Sequence, residues 1–82
     1  MKLMITTPHA TTHYDIVWLE LNTPMGNYII QRGHAPMMVV LSGGQPLIFR
    51  LKTGKQETIM VHHGIINVNR TTATAIITPT AS

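Results

Sequence analysis

Apolar and polar positions along the chain fall into short runs: "KLMITT", "DIVWLEL", "GNYII", "MMVVL", "LIFRLK", "TIMVH", "IINVN" and "TATAIIT". They are rich in β-branched side chains, which fit a pleated, half-buried surface. No window sustains the i, i+3, i+4, i+7 apolar spacing of an amphipathic helix over three turns. Strong helix formers are also scarce, with two glutamates and three lysines in all. The runs therefore predict about eight strands at the spacing typical of antiparallel sandwiches and barrels. The expected fold is all-β: a small two-sheet antiparallel sandwich or flattened barrel forming one domain over residues 1–82.

Turn residues support that count. Pro24 with Gly26, Gly33 with Pro36, Gly43-Gly44 with Pro46, and Gly54 all separate runs, and "KTGK" at Lys52–Lys55 reads as a tight hairpin. The residues after Pro79 are expected to fray. One run breaks the alternation. "MMVVL", Met37 to Leu41, is apolar at every position, so both its faces want cover. In a two-sheet domain one face enters the core, and the other points to a partner surface. "TAIIT" and "GIINV" show a milder form of the same pattern.

Composition sharpens the picture. Charged residues make up 11% of the chain, against about a quarter in an ordinary soluble domain. A surface so poor in charge lacks the repulsion that keeps small proteins apart, which points to a covered face. The net charge is +3, and Lys2, Arg32, Arg50, Lys52, Lys55 and Arg70 are scattered along the sequence. That balance keeps a polyanion partner open as the alternative: an independent small β-barrel module binding nucleic acid or another polyanion. The aromatics Tyr14, Trp18, Tyr28 and Phe49 lie in separate segments, and Trp18 and Phe49 read more simply as core. There is no cysteine, and the longest apolar run is five residues, too short for a membrane span. No apolar stretch of signal-peptide length follows the first residues, so the chain reads as untargeted.

Catalytic chemistry is thin. Asp15, Glu20 and Glu57 are the only acids, and neither a nucleophile elbow nor a phosphate loop is present. His9, His13, His34, His62 and His63 lack metal-ligand spacing, and adjacent His62 and His63 on one strand are expected to face opposite ways. No cofactor or metal is implied, and tight ATP binding is not expected. In "RGHAP", Gly33 can take a positive φ, Pro36 fixes its own, and Ala35 before proline is pushed to extended geometry. The loop is stiff from backbone alone. His34 at its centre either ties the loop together or contacts a neighbour.

The segments "MKLMITTP", "TPMGNYIIQRGHAPMMVVLSGG", "IMVHHGIINV" and "TATAII" together resemble the amino-terminal β-sandwich domain of the epsilon subunit of rotary F-type ATP synthases, called delta in mitochondria. The GHAP element leading into an apolar strand is the most specific piece. The resemblance implies a non-catalytic rotor subunit of the central stalk, linking the gamma subunit to the c-ring and helping couple ion translocation to ATP synthesis. It implies neither nucleic-acid binding nor direct membrane insertion, but a place peripheral to the membrane on the side of the catalytic head. Carried over by position, His34, Ala35, Pro36, Met37, Met38 and Val39 would face gamma, and Met25, Gly26, Asn27 and Tyr28 would face the c-ring. The chain departs from the pattern at Asn27, often acidic in the family, at Arg32, usually proline, and at His63, usually glycine. No carboxy-terminal helical hairpin is expected before Ser82.

Overall fold

The computed structural model describes residues 1–80, and its elements are six strands. They are β1 (Lys2–Thr6), β2 (Thr11–Thr23), β3 (Gly26–Gln31), β4 (Met37–Leu51), β5 (Gln56–Val68) and β6 (Thr72–Pro79). The sheet order is β1-β6-β5-β4-β2-β3, and β1 also pairs with β2. Five strands thus close into a barrel, with β3 added outside β2. The β1–β6 pair is parallel and the others are antiparallel. Extents of 30 × 27 × 18 Å make the barrel flat, in keeping with the expected sandwich-like form.

The all-β class stands, but the strand count differs from the expected eight for a physical reason. "MMVVL" and "LIFRLK" are two halves of β4, and "TIMVH" and "IINVN" are two halves of β5. Gly43 and Gly44 sit inside β4 at φ 79° and 71°, a left-handed pair that L side chains avoid, where the β4–β5 register slips between Ser42 and Gln45. They bend the strand instead of ending it. Pro46, also expected in a turn, follows that bulge and stays in register with Met60. β2 begins earlier than the apolar pattern predicts, because Thr11 to Tyr14 pair with β1 although Thr11, Thr12 and His13 are exposed.

The core draws on all six strands, centred on Phe49, Leu3, Ile16, Leu19, Ile30 and Ile66, each at most 1% exposed. Phe49 packs against Tyr14 with ring centroids 4.8 Å apart. Trp18 is only half-buried, so of the two aromatics expected inside, Phe49 alone is fully buried. The Lys52–Lys55 hairpin forms as expected, with Leu51 N–H donating to the Lys55 carbonyl at 2.8 Å. The fraying expected after Pro79 falls partly on Ala81 and Ser82, which lie outside the described residues; the Thr80 N–H donates to the Met60 carbonyl at 2.8 Å.

Candidate docking surface

The alternation of β4 decides which side of "MMVVL" meets the core. Val39 and Leu41 turn inward and are buried, and Met37 packs against the core edge. Met38 and Val40 turn outward at 68% and 65% exposed. Val39 is therefore mostly buried, and Val40, absent from the sequence-based set, takes the outward position.

The neighbouring strands extend this face. Val40 pairs directly with Ile65, and Ile65 with Ile76, so three aliphatic side chains stand in a row across β4, β5 and β6. All three are exposed, while the residues beside them, Leu41, Ile66 and Ile77, are buried. A groove of about 500 Å³ runs along the row. Its signal was present in the sequence as the doubled apolar positions of "GIINV" and "TAIIT".

The GHAP loop leads into this face. Gly33 has φ 88°, its N–H donates to the Arg70 carbonyl at 2.6 Å, and its own carbonyl accepts from Arg70 Nη1 at 3.3 Å. His34 Nδ1 donates to the Ala35 carbonyl at 2.8 Å, and the His34 N–H donates to the Gln31 carbonyl. The ring thus ties its own loop, while Ala35 and Pro36 remain exposed.

The other predicted set lies on the β2–β3 turn. Thr23 Oγ1 accepts from the Met25 N–H and donates to the Gly26 carbonyl, fixing the turn from inside. Met25 stands at the tip, 86% exposed. Asn27 Nδ2 donates to Asn22 Oδ1 at 2.8 Å, and Tyr28 packs against the core. Met25 and Tyr28 share a hollow of about 400 Å³ with Met37, Met38 and Val40, so the structure brings both predicted sets to adjoining surfaces.

His62 and His63 correct the expectation of opposite faces. The extra residue that shifts the β5–β6 register between Val61 and His63 inverts the alternation, so both rings project outward and meet edge-on at 5.0 Å. Among the described residues no group of three or more His, Asp or Glu side chains is placed to hold a metal. Nor does any described helix have the length and apolar character to cross a membrane.

The fold is thus that of a small, flat, closed β-barrel domain with an exposed aliphatic row across β4, β5 and β6. The chain belongs to the family described as ATP synthase, Delta/Epsilon chain, beta-sandwich domain, whose model matches residues 1–82. Among solved structures it is similar to a chain of the Tetrahymena thermophila mitochondrial ATP synthase central stalk/c-ring, with TM-score 0.79 and 19% identity over 95% of this chain and 63% of that one. A chain of the Euglena gracilis mitochondrial ATP synthase OSCP/F1/c-ring assembly gives TM-score 0.77 and 19% identity over 94% of this chain and 48% of that one. The present chain therefore spans less than two thirds of either neighbour. At such identity the likeness concerns the fold. No curated protein sequence matches significantly.

Proposed function

We propose that this chain is a non-catalytic rotor subunit at the foot of the central stalk of a rotary ATP synthase, joining the gamma subunit to the c-ring. Its work is mechanical: rotation of the ring has to reach gamma without slip, and a closed barrel clamped to both transmits it. The family match and the stalk assemblies that share the fold support this reading. The observation that carries it is the exposed row Val40, Ile65 and Ile76 with Met38 beside it, an apolar face on a chain that has ample threonine and asparagine for a wetted surface. That face and the GHAP loop would seat gamma. The turn Met25–Tyr28 would meet the ring, through van der Waals contact and the Asn27 amide instead of an acidic side chain. The chain would sit peripheral to the membrane on the side of the catalytic head.

The test is co-purification. Val40→Asp places a charge at a 65% exposed site, so the barrel should still melt cooperatively while gamma and the catalytic head no longer come down with the tagged chain. Undiminished recovery of gamma with this variant would remove the row from the interface.

A further inference from the structure

Basic residues scattered in sequence are gathered by the fold. Lys2, Arg32 and Lys52 line one hollow of about 270 Å³ together with Met1, Asp15 and Thr71. Backbone bonds hold the contributing segments in place: the Lys2 N–H donates to the Thr71 carbonyl, the Lys52 N–H to the Asp15 carbonyl, and the Gly33 N–H to the Arg70 carbonyl. Arg70 adjoins the hollow through its hydrogen bond to the Gly33 carbonyl. Four of the chain's six Lys and Arg residues thus share one end, answered there by a single carboxylate. Asp15 meets Lys2 Nζ at 3.2 Å and Lys52 Nζ at 3.4 Å, and Arg32 has no carboxylate partner among the described residues. On β2 this end is marked by Asp15, which pairs with Lys2 and lies eight residues before Thr23, where the strand enters the turn to β3.

We propose that this basic end is a docking surface for an acidic protein segment, a run of Asp or Glu side chains on a partner. The shape of the site selects that occupant. Its backbone N–H groups at Lys2, Gly33 and Lys52 are already bonded within the barrel, so they form no cradle for one phosphate. What it offers is exposed basic side chains from four segments, of which Lys2 and Lys52 share the Asp15 carboxylate, whose charge repels a compact dianion. None of the hollow's lining residues is an exposed aliphatic or aromatic side chain that could enter a lipid surface. Spaced carboxylates on an extended peptide match such an array.

The full chain is titrated with a fluorescein-labelled hexaglutamate peptide at low and moderate salt, beside inorganic phosphate, phosphatidylserine vesicles and single-stranded DNA. The peptide should bind with an affinity that falls as salt rises. Arg32→Gln and Lys52→Gln should each weaken it about fivefold, the upper end for an exposed ion pair. Lys55→Gln removes the same charge from the Glu57 pair on the β4–β5 hairpin and should leave binding within about twofold. Equal losses in all three variants, absence of peptide binding, or stronger binding of phosphate, vesicles or DNA would each overturn the proposal. Circular dichroism of each variant confirms that the barrel is intact.

Discussion

At Gly64 the neighbouring strand β6 leaves no room for a side chain. Gly64 is in register with Leu41 on one side and Ile77 on the other, and a Cβ there would lie 2.6 Å from the Ile76 carbonyl oxygen and 2.9 Å from Ile77 Cα. Both are backbone atoms of the paired strand, which cannot swing aside. Gly64→Ala should therefore cost about 1–3 kcal/mol, as overpacking does. For a domain of this size that lowers the melting temperature by about 4–8 °C per kcal/mol. A calorimetric scan showing an unchanged or higher midpoint would refute the close-approach argument. Asp15 carries a different residue-scale effect. The Lys2 hydrogen bond, opposed by desolvation and helped by the charges of Lys2 and Lys52, holds its carboxyl below the usual carboxylate value. A depressed folded pKa means stability that is present above the unfolded value and lost as pH falls through the folded one. Asp15→Asn should thus melt below the parent protein at pH 7, with the gap closing below about pH 4, where an unfolded aspartate takes up its proton. A gap that stays constant from pH 7 to pH 2 would assign the difference to something other than this charge.

Element-scale structure was legible in the sequence except where one signal serves two geometries. A left-handed glycine pair suits a turn and a bent strand equally, so Gly43-Gly44 marked a discontinuity without saying that β4 continues through it. Only pairing distinguishes the two, and pairing with β5 resumes at Gln45 after the slip. The same bulge region hid the orientation of His62 and His63, because period-two alternation fails across an inserted residue. The outward face of β4 was legible as a fact but not in register: "MMVVL" announced two apolar sides, while the choice of Val40 over Val39 needed the core. The basic end was invisible for another reason. Lys2, Arg32, Lys52 and Arg70 are brought together by the closure of the barrel, which joins β1 to both β2 and β6 and has no local signature. The β2–β3 turn, by contrast, was fully local: Asn22 to Tyr28 form a hairpin connection whose side-chain bonds lie within the segment.

Closure also decides how the whole molecule responds to load and to denaturant. β1, at the start of the chain, is sealed against β6, near its end, and each barrel strand is bonded on both sides, so no barrel strand can slide without breaking a ladder. One core joins the two sides: Ile77 on β6 and Ile30 on β3 belong to the same buried cluster. The proposed coupling between a rotating ring and a shaft needs such a unit, since a barrel that opened at one seam would dissipate torque there. Unfolding should accordingly be all-or-none. Ile77→Val, at a site 2% exposed, should cost about 0.5–1.5 kcal/mol and leave the chain folded. Trp18 lies on β2, which does not pair with β6, so its fluorescence reports on another part of the barrel. In urea, the Trp18 transition and the far-ultraviolet circular dichroism transition should move together by the same amount. Were the Trp18 midpoint to stay fixed while the dichroism became biphasic, β6 would be peeling away as a separate unit, and the closed barrel would not be the single rigid unit that the proposed coupling requires.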